Sequence, residues 1–391
     1  MARTKPKDRA PAPAGVKPPT RRPLNALFLL VFVALAALST WLMRVETALH
    51  DVPVHFQAVV DAARFENGTP IETHYTGFGV VDGAAKFLVA AFLAGPAGWD
   101  VGIRAQQIYF LMNFFAVVCV WGVEASRRRN AGRLFSYMTL FSFIYQFVGA
   151  AVIVPLYYAL YVVTSAGDAY HFQGREVPLG YARSLLPAMV LGYLVPTVAM
   201  YYFPWSDIKT VQYLTALWQP FPIYVSVLLF TFSLFVSSSP SKANEKNGDV
   251  KHLKRVYLIA GLVSAAAHLS TLYICFTSSD PQLSFSYVFL PIRAAWKESM
   301  AHGLHYLFQW DFWGAFAASL FWCWLVVYDA LRLLIGKPSV PQLVQMVLGI
   351  GFVTLVAGPG TAVVVVWNWR EDRLVMIENG VKGTWEKPKA A

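Results

Sequence analysis

The sequence predicts an all-α protein, a polytopic transmembrane helical bundle of about eight spanning helices with one short re-entrant or interfacial helix. Three observations predict it. Apolar runs of about 20 residues recur along the chain, the length needed to cross a hydrocarbon core roughly 30 Å thick. Only 14% of residues are charged, whereas soluble domains hold about 25%. Mean hydropathy is +0.47. Backbone groups find no water in hydrocarbon, so each run must be helical, and a membrane barrel would show short alternating segments instead.

The elements follow in order. Residues 1–23 are rich in Pro, Ala and basic side chains and read as a disordered cytosolic tail. The transmembrane domain is placed at 24–367 and a polar cytosolic tail at 368–391. Leu24 to Met43 is the first span; it is long for a signal peptide and lacks a clear small-x-small site before Arg44. Ala84 to Leu93, stopped by Gly95-Pro96-Ala97-Gly98, is the re-entrant or interfacial helix. Ile103 to Val123, Leu134 to Val163, Ser184 to Phe203, Leu217 to Val236 and Tyr257 to Phe276 are the second to sixth spans. The seventh begins near Gln309 within the aromatic run Ala301 to Ile335. The eighth is Val340 to Trp367, interrupted at Gly358-Pro359-Gly360.

Eight spans place both termini in the cytosol. Arg127, Arg128 and Arg129 then face the cytosol, as positive-inside charge requires. The loop with Lys242, Lys246, Lys251, Lys254 and Arg255 then falls in the lumen, against the same rule. Lysines third and fifth from the C-terminus resemble an endoplasmic-reticulum retrieval signal. The sequon at Asn67 is the candidate glycosylation site, in a loop read as lumenal, although Pro70 follows it. The net charge of +10 suits basic cytosolic loops, and no nucleic-acid partner is expected.

Chemistry is sought among few residues. No nucleotide loop, dinucleotide fingerprint, His-rich box, HExxH pair or DDxxD cluster occurs, so no metal and no cofactor is expected. Cys119, Cys275 and Cys323 lie singly in apolar runs. Acids at helix ends and aromatic side chains remain. In the eight-span arrangement Glu124, Trp218-Gln219 and Gln309-Trp310-Asp311 meet at the cytosolic side. A carboxylic acid kept protonated by burial protonates an alkene or opens an epoxide, and Trp and Tyr faces stabilise the cation. Asp311 is the candidate proton donor, with Glu124 or His268 assisting. Trp218, Gln219, Gln309, Trp310 and Tyr157 are candidate substrate contacts. Each also has a plainer reading. Asp311 and the indoles suit an interfacial belt, Glu124 suits neutralisation by its arginines, and His268 suits a neutral interhelical bond. Asp82 and Asp168 lie in polar loops and are expected to be solvated.

The residues Thr76-Gly77 with Val81-Asp82, Gln106 to Phe110, Glu124 before a basic turn, Pro155 to Tyr158, Tyr193 to Pro196, Trp218-Gln219-Pro220 and Gln309-Trp310-Asp311 recur in an order similar to a known group. The pattern, over about residues 70 to 365, resembles fungal integral-membrane terpene cyclases of meroterpenoid pathways, of the ascochlorin, ascofuranone and macrophorin kind. The resemblance implies metal-free, proton-initiated cyclisation of a farnesylated phenol or its epoxide, with Asp311 and Glu124 at acidic positions of the pattern. The expected partners are a lipophilic isoprenoid and membrane lipids, and oligomeric state is open. The rival is a small-molecule transporter or efflux protein, favoured by the Gly358-Pro359-Gly360 break and His268. A receptor-like or scaffold protein without chemistry is a third reading.

Overall fold

The apolar runs are helical in the computed structural model, which describes residues 20–202, 207–236 and 246–380. The helices are α1 (Asn25–Leu49), α2 (Phe56–Ala62), α3 (Gly79–Phe92), α4 (Val101–Ser126), α5 (Met138–Val148), α6 (Ala150–Thr164) and α7 (Leu179–Tyr202). They continue as α8 (Ile208–Trp218), α9 (Phe221–Phe235), α10 (Val250–Thr277), α11 (Phe285–Phe289), α12 (Met300–Ile335), α13 (Val340–Ala357) and α14 (Pro359–Glu378). Among the described residues there are no strands, only two isolated bridges. Local signals fix the ends. Asp100 caps α4 by accepting from the Ile103 N–H, Ser339 and Gln342 form a capping box at α13, and Gly336, at φ 86°, stops α12.

Six helices are long and apolar enough to cross a membrane, and the pair α8 and α9, bent by 60°, makes a seventh. The expected number was eight. The difference has a physical cause at Gly149. Gly149 takes φ 102° and ψ 141° and divides the expected third span into α5 and α6. Phe141 of α5 packs on Tyr157 of α6, and the Tyr157 hydroxyl donates to the Phe135 carbonyl. The two helices therefore run antiparallel, as a hairpin that starts and finishes at one end of the bundle. Gly358, at φ 91°, likewise ends α13 and starts α14, but α13 alone is still long enough to cross, so the eighth span is kept.

The hairpin at Gly149 removes the conflict in the charge pattern. Following the chain, α1, α7, α10 and the hairpins start from one end, and α4, α9 and α12 finish there. That end holds a buried ion network. Arg22 pairs with Asp329 at 2.5 Å, Arg175 with Asp249 at 3.0 Å, and Arg332 with Asp168 at 2.8 Å. His171 lies 3.9 Å from Asp329. Burial, then Arg129 and Arg22, hold its ring well below the usual histidine range, so it stays neutral there. Arg127 to Arg129 and Lys246, Lys251, Lys254 and Arg255 all lie at this arginine end. Both described chain ends do too. Lys242 and the basic residues of the two tails lie outside the described residues, as does the C-terminal lysine motif.

The opposite end is capped by residues 50–100, 207–218 and 278–300. Asp82 is buried there rather than solvated. Burial opposes its charge, yet the Tyr75, Thr76 and Gly77 N–H groups and the Thr76 hydroxyl hold its carboxyl below the usual range. Asp168 is buried as well, by its pairing with Arg332. The outer faces of α9, α10 and α13 expose Phe235, Phe230, Leu258, Phe276, Phe352 and Leu355. Water-exposed apolar faces of this extent are uncommon, so the surface is compatible with an integral membrane protein.

Candidate active site

Near the capped end, α1, α3, α4, α5, α7, α9 and α12 surround an apolar cavity of about 220 Å³. Aromatic rings make most of its wall. Phe114 lies 5.4 Å from Tyr145, Tyr193 4.6 Å from Phe221, Trp218 5.2 Å from Phe221, and Phe92 4.8 Å from Phe308. Irregular backbone puts several of these side chains in place. The π-helical turn Trp41–Val45 presents Met43 and Arg44, and a second, Val190–Leu194, presents Tyr193. Such turns recur at functional sites. The bend between α8 and α9 presents Trp218 and Phe221, and the Trp218 indole N–H donates to the Thr197 hydroxyl at 2.8 Å.

Asp311 is the one carboxylic acid in the cavity wall among the described residues. Its Oδ1 accepts from the Ala151 N–H at 2.6 Å, so it caps the N-terminus of α6 from another helix. Arg44 performs the matching task at the C-terminus of α5, donating from Nη2 to the Phe147 carbonyl at 3.0 Å and the Val148 carbonyl at 2.6 Å. A broken helix leaves backbone donors and acceptors unpaired inside an apolar setting. The Asp311 and Arg44 side chains satisfy them and thereby stand together at one corner of the cavity. A Cβ on Gly149 would stand 2.8 Å from Met43 Cε and 3.2 Å from Asp311 Oδ1. Gly149→Ala is therefore expected to destabilise the protein by about 1–3 kcal/mol, read as a lower melting temperature of the purified protein in detergent.

Of the residues singled out from sequence, the structure brings Asp311 and Trp218 to the cavity. Gln219 approaches only through its carbonyl, which accepts from Gln146 Nε2 at 2.8 Å. Gln309 points elsewhere, donating to the Tyr287 carbonyl at 2.6 Å, and Trp310 lines an outer groove with Leu38 and Trp313. Tyr157 is buried against Trp121, ring centroids 4.0 Å apart. His268 accepts from the Tyr109 hydroxyl at 2.9 Å and donates to the Leu355 carbonyl at 3.1 Å, a pairing that suits a neutral ring. It steadies the turn at Gly358, not the cavity.

The expected meeting of Glu124 with Asp311 does not occur. The cavity touches α4 at Gln107, Phe110, Leu111 and Phe114. Glu124 lies 10 residues beyond Phe114, the nearest of these, about 15 Å along the helix. There its Oε1 accepts from Arg127 and Arg370 at 2.7 Å each and from the Trp367 indole at 3.0 Å. Arg44, Tyr145 and Gln107 line the cavity and were not selected from sequence. No sequence signal selected them, since an isolated glycine such as Gly149 inside an apolar run is tolerated in a helix. Among the described residues no three His, Cys, Asp or Glu side chains cluster as metal ligands.

The chain matches the CtvD domain family over residues 25–376. It is 25% identical to terpene cyclase DEP1 of Fusarium langsethiae, over 84% of this chain and 94% of that protein. It is 24% identical to terpene cyclase ascI of Acremonium egyptiacum, over 79% of this chain and 82% of that one. It is 27% identical to FAD-dependent monooxygenase verC1 of Penicillium polonicum, over 69% of this chain but only 33% of that protein, so it spans about a third of that relative. No solved structure matches it. The resemblance read from the sequence thus holds, and the chain belongs to the CtvD domain family.

Proposed function

We propose that this chain is a membrane-embedded terpene cyclase that folds a farnesylated meroterpenoid, or its terminal epoxide, into rings by acid catalysis. The observation that supports it most is the pairing of a single carboxylic acid, Asp311, with an aromatic cavity. Asp311 gives its proton to the epoxide oxygen or terminal alkene. The C–O or π bond opens, an internal alkene attacks the cation, and a C–C bond forms. Phe110, Phe114, Tyr193, Trp218 and Phe221 present π faces to the migrating charge. Loss of a proton from carbon, or capture by a phenol hydroxyl that sheds its own, ends the sequence without change of mass. The Asp311 carboxylate left behind lies against the N-terminus of α6 and near Arg44, both of which stabilise negative charge.

The relatives named terpene cyclases support this reading, and the match to one third of a flavin monooxygenase suits an epoxide as substrate. The transporter rival drew on Gly358 and His268. A Cβ on Gly360 would stand 2.4 Å from the Asn113 carbonyl oxygen, so that turn is tightly packed, and His268 steadies it. The test uses microsomes holding the protein, incubated with farnesylated phenols and their terminal epoxides, with EDTA present. A product of unchanged mass by mass spectrometry is expected. Uptake of the compounds into sealed vesicles without isomerisation would overturn the reading.

The same proposal places the arginine end in the cytosol and the protein in the endoplasmic reticulum. Among the described residues, the segments that cap the opposite end carry five Lys and Arg side chains, Arg64, Lys86, Lys209, Arg293 and Lys297, fewer than the arginine end, so charge supports this orientation. Asn67 is exposed at that opposite end. In microsomes Asn67 is expected to receive a glycan, seen as an endoglycosidase-sensitive mass shift that Asn67→Gln abolishes. A glycan acquired instead by a sequon inserted at Gln173 would reverse the orientation.

A further inference from the structure

The loop after α4 and the segment after α6 enclose a second pocket, about 520 Å³ and open to the surface, lined by Arg128, Arg129, Arg133, Tyr170 and Gln173. No carboxylate lines it among the described residues. The charge around it is out of balance. The Arg129 side chain is only 3% exposed, and its nearest acid is Glu124 Oε2 at 3.7 Å. Glu124 already answers Arg127 and Arg370 through Oε1, and its Oε2, which faces Arg129, stays beyond hydrogen-bond reach of it. The three guanidinium nitrogens of Arg129 have no hydrogen-bond partner among the described residues, and the group lies 4.4 Å from the centre of the Tyr170 ring. Arg133 stands over the same ring at 5.8 Å. Arg128 and Arg133 are exposed and enter no ion pair among the described residues.

A buried guanidinium without a matched anion is costly, because its desolvation is not offset by a full partner. Solvation suffices for Arg128 and Arg133 alone. It does not explain why a third, buried arginine with unfilled donors lies beside them, in a pocket whose lining includes Gly167, Ala169 and Gly174. Several forked guanidinium groups around one hollow match the oxygens of a phosphate group. Basic pockets beside membrane helices on the cytoplasmic side take phosphorylated head groups.

We propose that the Arg128, Arg129 and Arg133 pocket binds a phosphate group, whether a phospholipid head group from the adjoining leaflet or a soluble phosphate. The site is independent of the cavity around Asp311. Purified full-length protein in neutral detergent is titrated with phosphatidic acid, read by native mass spectrometry, and separately with inorganic pyrophosphate, read by calorimetry. Phosphatidylcholine serves as the control. In Arg128→Gln/Arg133→Gln, affinity for the ligand that binds is expected to fall about tenfold or more. Loss in the phosphatidic acid arm identifies a lipid, and loss in the pyrophosphate arm a soluble anion. Absence of binding in both arms, or equal binding by the variant, overturns the proposal. Arg133→Gln alone serves if the double variant does not fold.

Discussion

Asp311→Asn is expected to yield folded protein that forms cyclised product at least about 100-fold more slowly, the lower range for removal of a general acid. The substitution separates two tasks of one side chain. Asn keeps an oxygen at the position that accepts the Ala151 N–H, so the cap on α6 survives. It cannot give up a proton to an alkene or an epoxide. Asp311→Ala removes both, and the lost cap adds about 1–2 kcal/mol of destabilisation. Melting curves and product formation measured on the two variants therefore give different patterns. Similar turnover by Asp311→Asn and the parent would remove Asp311 as the acid and leave it a capping residue. The substrate panel should include terminal epoxides, because opening the strained ring needs less driving force and reports residual acid catalysis most sensitively.

The helical class and most spans were legible because they depend on composition over 20 residues, which one long window reads well. The break at Gly358, beside Pro359 and Gly360, was legible too; the turn at Gly149 was not. A single Gly inside an apolar run reads as a tolerated helix residue, yet Gly149 takes positive φ and reverses the chain. That local event changes the parity of every later crossing, which is why the basic loop around Lys251 seemed misplaced. Asp311 was legible because an ionisable side chain in an apolar run is unusual in lipid, and Trp218 because it opens an expected span beside two prolines. Arg44 was not, since its reason is the pair of carbonyls on another helix that it satisfies. Glu124 drew attention for the same chemical reason as Asp311. Only the fold distinguishes them, because Arg370 lies 246 residues away in sequence and folds back to meet it.

Glu124→Gln is expected to act on folding and not on chemistry. Glu124 is wholly buried and accepts from Arg127, Arg370 and the Trp367 indole, while Glu371 accepts from Arg127 and Arg175. Removing the Glu124 charge leaves Arg370 and Arg129 buried without a counter-ion and Arg127 with Glu371 alone, at a cost of about 3–5 kcal/mol. Total stabilities of about 5–15 kcal/mol make that a large fraction. The amount of folded protein recovered in detergent should fall sharply, as should its melting temperature. Product formed per folded molecule should stay near the parent's, because the nearest cavity residue on α4, Phe114, lies about 15 Å away along the helix. Replacing the pair together, as Glu124→Leu with Arg370→Leu, should recover part of the yield, since a buried ion pair removed as a unit costs less than one broken. A Glu124→Gln protein that folds normally yet forms no product would instead bring Glu124 back into the chemistry, acting over a distance that only a rearrangement of α4 could close.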